Sequence, residues 1–344
     1  MTLSEQLAGQ LAEVVESRLG LRFSRDRWPD LVRGVDAASR ELGIGDINSF
    51  LTRLAAAPAE SREIQVLASH LTVGETYFFR DENHFRILEQ EILPPLIRSR
   101  RGKERRLRVW SAACATGEEP YSIAILLTQL IPDIGDWNIT ITATDVNPRF
   151  LRKASQGIYS DWSFRNAPIW LKQRYFRQNK EGLFELLPYI KKMVTFSYLN
   201  LAEDAYPTLL SNTNATDLIV CRNVLMYLAP DTAQRAIHNF YRSLTQDGWL
   251  LVAASETSNA LFSKFSAVEF PGAFFYRKST DQHGHVGARA NGAGAEGGSL
   301  CPPFQFQLPP EPQIKRAPLA STTFEPENAN AYEAAMALYN LNPA

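Results

Sequence analysis

The segment that says most about chemistry is the loop SAACATGEE, which runs from Ser111 to Glu119. Its small residues let a ligand approach the backbone closely, but it holds one glycine instead of the GxGxxG pattern of dinucleotide sites. The adjacent Glu118 and Glu119 would repel a pyrophosphate at the start of the helix that follows. The loop therefore favours a ligand with an amine or sulfonium cation over NAD. The alternative is a tight turn with exposed glutamates.

A second candidate is Asp145, which ends the apolar run WNITITATD. An acid in this place commonly accepts hydrogen bonds from ribose hydroxyls. The alternative is that Asp145 caps the N-terminus of the next helix. The position indicates a nucleoside without saying which one.

A third candidate is the polar and aromatic cluster that ends DLIVCRNVLMYL. Asn223 comes directly after the predicted strand, where its amide could hydrogen-bond a cofactor. Tyr227 could hold its hydroxyl near a reacting centre, or it could pack into the core.

A fourth candidate is GETYFFRD, in which Glu75, Thr76, Arg80 and Asp81 surround three aromatic residues. Three aromatics in a row suggest anchoring into a core, and Arg80 could simply pair with Asp81. The spacing alone does not decide whether the polar residues of this segment have this structural role or face a ligand.

The elements that position these segments begin with a predicted small all-α domain over residues 1–90. Leu7 and Leu11 belong to an apolar series at helical intervals, Asp46 could cap a second helix, and residues 60–71 give a third. A predicted basic linker follows at 91–108, where the run RSRRGKERRLR holds seven basic residues and one acid. It is either a solvated connection between domains or a positively charged surface that attracts an acidic partner.

From residue 109 to 278, apolar runs of strand length alternate with helical patterns. The rhythm breaks at about 160–198, where short strands are predicted, and then resumes. This alternation predicts an α/β fold, a doubly wound, Rossmann-like and mostly parallel sheet with a small inserted β-subdomain.

The end of the chain predicts a linker and a helix. Residues 279–328 are rich in Gly, Ala, Pro and Gln, a composition that cannot bury a core. Residues 329–344 have the small-residue and aromatic spacing of the first helix of a tetratricopeptide repeat, but one helix cannot make such a domain.

The composition of the whole chain narrows its class. The formal net charge is -1, so the molecule as a whole is not a polyanion binder and no nucleic-acid partner is predicted. Three scattered cysteines without ligand spacing predict neither a metal site nor a disulfide framework. No secretion signal or bilayer-length apolar run is present, which predicts a cytoplasmic location without membrane insertion.

The segments taken together resemble the chemotaxis receptor-glutamate methyltransferases, the CheR family. The match covers about residues 3–278 and includes ETYFFRD, RVWSAACATGEEPYSIAI, ATDVNPRFLRKASQGIY, SYLNL and DLIVCRNVLMYL, in that order. The resemblance implies an S-adenosylmethionine-binding methyltransferase domain with an inserted β-subdomain, behind a small helical domain. It implies methylation of glutamates on the cytoplasmic helices of methyl-accepting chemoreceptors, which tunes receptor signalling. The terminal helix suggests the branch with appended tetratricopeptide repeats, which could bind further protein partners.

The resemblance also implies roles for individual residues. Arg80 and Tyr227 would stand near the departing methyl group as catalytic residues, and Thr76 and Arg80 would contact the cofactor. Glu118 would lie by the amino-acid part of the cofactor and Asp145 by its ribose. The other residues expected along the pocket are Asn200, Leu201, Asn223 and Val224.

The implied chemistry agrees with the residues present. A glutamate carboxylate, with an ordinary pKa of about 4.3, is already ionised at neutral pH, so no general base is needed. The enzyme must align carboxylate oxygen, methyl carbon and sulfur, and exclude water. Arg80 is expected to orient the acceptor. The arginines expected to face acidic receptor helices, besides the basic segment, are Arg18, Arg22, Arg25, Arg27 and Arg33.

Three other interpretations remain. A methyltransferase for nucleic acid or a small molecule shares the fold, but the chain is not basic overall and lacks an NPPY-type motif. A dinucleotide-dependent oxidoreductase is disfavoured by the Ser111–Glu119 loop. A scaffold that has lost catalysis is the serious non-enzyme rival, and the presence of Arg80, Asp145 and Tyr227 speaks against it.

Overall fold

The computed structural model describes residues 5–279. The predicted linker at 279–328, apart from its first residue, and the predicted helix at 329–344 lie outside the described residues. A partner surface made of tetratricopeptide repeats therefore remains a prediction. Within the described part, no helix is both long enough and apolar enough to cross a membrane.

The N-terminal part folds as helices around a core of their own, as its apolar spacing predicts. These helices are α1 (Glu5–Leu19), α2 (Trp28–Glu41), α3 (Ile47–Ala56) and α4 (Arg62–Leu71). Leu11, Leu31 and Phe50 are completely buried in that core. Asp46 caps α3 as predicted, because its carboxylate accepts a hydrogen bond from the amide of Ser49 at 2.8 Å.

The segment between this bundle and the sheet is largely helical. It contains α5 (Glu82–Ile87), a π-helical turn (Leu88–Ile92) and α6 (Leu93–Arg101). The prediction of a linker at 91–108 was therefore wrong in this respect, since most of that stretch is helix α6 and the beginning of the first strand. Leu93 and Ile97 are buried, and Arg100 forms an ion pair with the buried Asp217 at 2.7 Å. The many basic residues of this stretch make the buried face of α6, which includes Leu93 and Ile97, hard to recognise in the sequence.

Ten strands belong to the described part of the chain. Numbered along the chain, they are β1 (Arg106–Ala112), β2 (Asn138–Asp145), β3 (Ile158–Tyr159), β4 (Phe176–Gln178), β5 (Phe184–Leu186), β6 (Val194–Tyr198), β7 (Thr216–Val220), β8 (Leu244–Leu251), β9 (Ser266–Phe270) and β10 (Ala273–Arg277). The helices among them are α7 (Glu118–Leu130), α8 (Pro148–Gln156), α9 (Ile169–Tyr175), α10 (Pro188–Lys191) and α11 (Pro230–Ser243).

Seven strands form the main sheet, in the order β6-β2-β1-β7-β8-β10-β9. β10 is antiparallel to both of its neighbours, and the other pairs are parallel. The predicted doubly wound α/β fold is confirmed. The strand order reverses between β1 and β7, because the chain builds outward from β1 to β6 and then returns to add β7 on the other side. Such a switch point opens a crevice at the carboxyl ends of the strands.

Helices cover both faces of this sheet. In β1, Leu107 and Val109 face a core that includes residues of α7, whereas Trp110 and Ala112 face a core that includes residues of α11. Burial on both faces explains the consecutive apolar residues Leu218 to Val220 in β7 and Val109 and Trp110 in β1.

The three remaining strands form a small antiparallel sheet in the order β3-β5-β4, in the region where an inserted subdomain was predicted. The predicted range of 160–198 reaches too far, because β6 pairs in parallel with β2 as an edge strand of the main sheet. β6 is mostly only partly buried, so its sequence pattern does not distinguish the two sheets.

Candidate functional site

A cavity opens where β1, β2, β6 and β7 end, at the switch point of the sheet. It consists of two adjoining chambers that share Val73, Ala113, Ala115 and Asn223 as walls. The larger chamber is bordered by the ends of β2 and β6, and the smaller one by the loop between α4 and α5. Eight of the nine predicted site residues line one or both chambers: Thr76, Arg80, Asp145, Asn200, Leu201, Asn223, Val224 and Tyr227.

Asp145, the last residue of β2, borders the larger chamber. Its carboxylate accepts hydrogen bonds from the amides of Ala115 and Asn147, each at 2.8 Å. Burial nevertheless raises its pKa from the ordinary value of 3.8 to about 6, because desolvation outweighs these amide contacts. The helix cap considered as its alternative role is made by Asn147, whose side chain accepts from the amide of Arg149 at 2.9 Å. The carboxylate of Asp145 is thus available to a ligand.

The loop after β1 brings main chain to the cavity wall. Ala113 and Ala115 have positive φ angles of 59° and 46°, and Gly117 has a φ of 93°. A Cβ atom at Gly117 would lie 2.8 Å from the Cβ of Ala154, so glycine is required for both reasons. This geometry supports the predicted close approach of a ligand to the backbone.

The two adjacent glutamates of this loop face different surroundings. Glu118 is 1% exposed and accepts hydrogen bonds from the hydroxyls of Thr116 at 2.6 Å and Ser163 at 2.9 Å. It lines neither chamber, so the structure does not bring this predicted residue to the cavity. Glu119 lines the smaller chamber instead. Consecutive residues of a helix point about 100° apart, and the sequence does not say which of the two faces inward.

The chain after β7 supplies Asn223, Val224 and Tyr227 to the larger chamber. The Oδ1 atom of Asn223 is buried and has no hydrogen-bond partner among the described residues. Tyr227 is only half-buried, so core packing does not explain it. This stretch is held by Glu256, which the sequence patterns did not single out. Its carboxylate accepts from the amides of Asn223 at 2.8 Å and Val224 at 2.7 Å.

The loop between α4 and α5 supplies Thr76 and Arg80 to the smaller chamber. The predicted aromatic anchoring is confirmed for Phe78 and Phe79, which are 0% and 7% exposed. Arg80 has no ion pair with Asp81 in the described structure, where the partner of Asp81 is Arg222. The guanidinium of Arg80 donates to the main-chain carbonyl of Glu75. Its side chain therefore borders the cavity instead of neutralising its neighbour.

The N-terminal helical region supplies a wall of the larger chamber that the sequence patterns did not predict. The residues of this wall are Leu19, Leu21, Arg22, Phe23 and Arg27. We call residues 20–27 the cover segment. It is attached to the chain after β7 by main-chain contacts: Leu21 pairs with Leu228, and the amide of Arg22 donates to the carbonyl of Tyr227 at 2.8 Å. Arg22 and Arg27, expected to face an acidic partner, both line the chamber, and Arg22 is also exposed.

The chemistry available in the cavity is that of carboxylates, amides, arginines, hydroxyls and phenols. No histidine or lysine is among the described residues that line the two chambers. Burial raises the pKa of the Cys114 and Cys221 thiols well above the ordinary value, so neither is a nucleophilic thiolate at neutral pH. Among residues 5–279, no group of three or more His, Cys, Asp or Glu is arranged to hold a metal ion. The site can hold a polar, cationic ligand but offers no imidazole or amine as a general base.

Comparison with known proteins gives a consistent result. The family model described as "CheR methyltransferase, SAM binding domain" matches residues 74–273. Chemotaxis protein methyltransferase 2 of Vibrio cholerae is 35% identical over 222 residues, which cover 64% of this chain and 73% of that protein. Chemotaxis protein methyltransferase of Salmonella typhimurium is 32% identical over 270 residues, covering 77% and 88%. Probable biofilm formation methyltransferase WspC of Pseudomonas aeruginosa is 30% identical over 271 residues, covering 78% and 61%.

Proposed function

Because the chain belongs to the CheR methyltransferase family, we propose that it methylates glutamate side chains of chemoreceptors, forming methyl esters that tune receptor signalling. The observation that carries the proposal is the composition of the cavity, which has carboxylates and four arginines but no histidine or lysine among its described lining residues. An amine acceptor must lose a proton before it can attack, whereas a glutamate carboxylate is already ionised at neutral pH. A carboxylate acceptor needs no general base, whereas an amine acceptor would have to use one of the cavity's carboxylates as its base.

S-adenosylmethionine is the cofactor of this family, and it supplies a methyl group bonded to a positively charged sulfur. The residues of the cavity fit it. Asp145 would accept hydrogen bonds from the ribose, and Glu119 would meet the ammonium of the amino-acid part. The unpartnered Oδ1 of Asn223 would accept a hydrogen bond from the cofactor. The other residues proposed to line its binding site are Thr76, Arg80, Asn200, Leu201 and Val224.

Arg80 and Tyr227 are proposed to act on the acceptor. Arg80 lines the smaller chamber and carries a permanent positive charge, which can orient an incoming carboxylate. A close ion pair would make the carboxylate a weaker nucleophile, so its role is orientation. Tyr227 lines the larger chamber, where its hydroxyl can donate a hydrogen bond. The cover segment forms a wall of the same chamber, and we propose that it keeps water from the reacting atoms. Catalysis is then achieved by positioning.

The names of the relatives support chemoreceptors as the acceptors, since the Vibrio cholerae and Salmonella typhimurium proteins are chemotaxis methyltransferases. WspC is named for biofilm formation, so motility is one of at least two outputs that such an enzyme could serve. The proposed acceptors are the cytoplasmic helices of the receptors, and the proposal therefore includes a cytoplasmic location.

The test is the chemical stability of the methylated product. The protein is incubated with methyl-labelled S-adenosylmethionine and receptor-containing membranes, and the labelled band is then exposed to mild alkali. A methyl ester releases volatile labelled methanol, whereas methyl groups on amines survive. The matched control is Asp145→Asn, which should bind the cofactor about 1–3 kcal/mol more weakly and therefore give much less label at a limiting concentration of S-adenosylmethionine.

Alkali-labile label in a receptor-sized band is the expected result. Alkali-stable label would overturn the glutamate proposal and leave a methyltransferase with another acceptor. Binding of S-adenosylmethionine without transfer to any receptor of the host would favour a scaffold that has lost catalysis.

A further inference from the structure

Arg222 is a buried cation at the boundary of the smaller chamber. It lies two residues after β7, and 2% of its side chain is exposed. Its guanidinium donates to the carboxylate of Asp81, to the main-chain carbonyl of Arg80 at 2.8 Å and to the carboxylate of Glu119 at 3.3 Å. One buried group thus joins the loop that carries Arg80 to the helix that carries Glu119.

On the helix side, Arg222 offsets the desolvation of a carboxylate. The side chain of Glu119 is 14% exposed, and burial raises its pKa. The charge of Arg222 and a hydrogen bond from the Ser111 hydroxyl at 2.8 Å oppose this rise. The negative charge that Glu119 presents to the chamber therefore depends on Arg222.

On the loop side, Arg222 fixes main chain. Asp81 has a positive φ of 59°, at the point where the loop turns into α5. Arg222 bonds both the carboxylate of Asp81 and the carbonyl of Arg80. These contacts set the backbone from which the Arg80 side chain enters the smaller chamber.

We propose that Arg222 is a positioning residue that holds the Glu119 carboxylate charged and turned toward the cofactor and fixes the main chain that carries Arg80. The part that concerns Arg80 rests on the function proposed above. The part that concerns Glu119 needs only the S-adenosylmethionine site.

Other titratable and charged groups surround Arg222 and Glu119, and the experiment must distinguish their titration from that of Glu119. They are Arg80 and Asp81 before α5, His84 on α5, Cys114 and Glu118 after β1, and Cys221 after β7. Burial lowers the pKa of His84 to about 4, and burial raises the pKa of both thiols well above their ordinary value, so these three groups stay neutral between about pH 6 and 8. Asp145 titrates in the other chamber, in variant and wild type alike.

The experiment measures S-adenosylmethionine binding by calorimetry between about pH 6 and 8. The proteins are the wild type, R222Q, R222K, E119Q and the double variant R222Q/E119Q. Each affinity is divided by the wild-type affinity at the same pH, so that titration of the ligand and of Asp145 cancels. R100Q is the matched control, because Arg100 also pairs with a buried aspartate, Asp217, at 2.7 Å but lines neither chamber.

R222Q should bind about tenfold more weakly than the wild type at pH 6, and this loss should shrink toward pH 8 as Glu119 loses its proton. R222K should show a smaller loss that does not vary with pH, because the positive charge remains. The double variant should be weak at every pH, and R100Q should bind like the wild type.

An R222Q protein whose relative affinity is unchanged, or reduced by the same factor at every pH, overturns the proposal. If R222Q does not fold, the affinity of E119Q for the cofactor is the deciding measurement. In E119Q the carboxylate of Glu119 is removed, but Arg222 keeps its contacts with Asp81 and Arg80. Wild-type affinity in E119Q would overturn the proposal, and a loss of about tenfold would support it. None of these measurements uses an acceptor, so a negative receptor assay would count against the proposed function alone.

Discussion

Asp145→Asn separates the charge of the carboxylate from its shape. Asparagine occupies nearly the same volume, and its oxygen can still accept one of the two amide hydrogen bonds from Ala115 and Asn147. It cannot ionise. The variant therefore tests whether an ionised group at the end of β2 is what binds the cofactor.

The magnitude follows from the pKa of Asp145 in the free protein, which burial raises to about 6. If the ionised form binds the cofactor, affinity rises with pH through about 6 and levels off above about 7. Between pH 7 and pH 5 the ionised fraction falls from about nine tenths to about one tenth, so affinity should fall about tenfold, or roughly 1.4 kcal/mol. At pH 7 the variant should bind more weakly than the wild type by about 1–3 kcal/mol.

The raised pKa of Asp145 also affects the free energy of unfolding, and its effect there has the opposite pH dependence to its effect on cofactor affinity. Because the pKa in the folded state is raised above the ordinary 3.8, the folded protein binds this proton more tightly than the unfolded chain does. The contribution of Asp145 to the free energy of unfolding therefore decreases as pH rises from about 4 to 6, by roughly 3 kcal/mol in total. Without cofactor, the stability difference between Asp145→Asn and the wild type should move in favour of the variant over this range.

The assay is calorimetric titration with S-adenosylmethionine at pH 5, 6 and 7, with thermal unfolding of the free proteins in parallel. Asp46→Asn is the control, because Asp46 caps α3 and lines neither chamber. The reasoning is refuted if the wild-type affinity does not change with pH, or if the variant follows the same pH profile as the wild type.

The remaining predictions concern three other parts of the chain. Arg80→Ala should lower kcat at least about tenfold while cofactor affinity stays within a few fold, because its role is orientation; normal turnover at saturating cofactor and receptor would contradict this role. Glu256→Ala should destabilise the fold by about 1–3 kcal/mol and weaken cofactor binding, because the amides of Asn223 and Val224 lose their acceptor; an unchanged melting temperature would speak against it. A chain that ends at residue 279 should keep its melting temperature and cofactor affinity, since the sequence beyond it is rich in Gly, Pro and Gln; a fall of several degrees would disprove this.

The sheet and most of the site could be predicted because they depend on local pattern. β1 and β7 each contain consecutive buried apolar residues, so they are recognisable as buried strands. Asp145 ends β2, and Asn223 and Tyr227 follow β7. In a parallel sheet the carboxyl ends meet at one edge, which brings residues far apart in sequence together.

Features that depend on rotation or on distant contacts could not be predicted. The sequence pattern does not say which of Glu118 and Glu119 faces the cavity. Helix α2 was not predicted, because a glycine and several charges interrupt its apolar positions. That glycine, Gly34, is needed for packing, since a Cβ there would lie 2.5 Å from a side-chain carbon of Leu71 on α4. The wall supplied by the cover segment likewise depends on contacts with a segment of the same chain more than two hundred residues away in sequence.

The attachment of the cover segment has a consequence for how this enzyme can diversify. Leu21 pairs with Leu228 through main chain, and the amides of Arg22 and Ala229 donate to the carbonyls of Tyr227 and Gly20, each at 2.8 Å. Peptide groups are the same in every residue except proline, which lacks the N–H. Leu21 and Phe23 also pack against the cores, whereas the side chains of Arg22 and Arg27 can be exchanged without losing the main-chain bonds that hold the segment. At these two positions the attachment of the segment does not depend on the side chain, so evolution can alter this wall of the larger chamber by single substitutions while the segment stays in place.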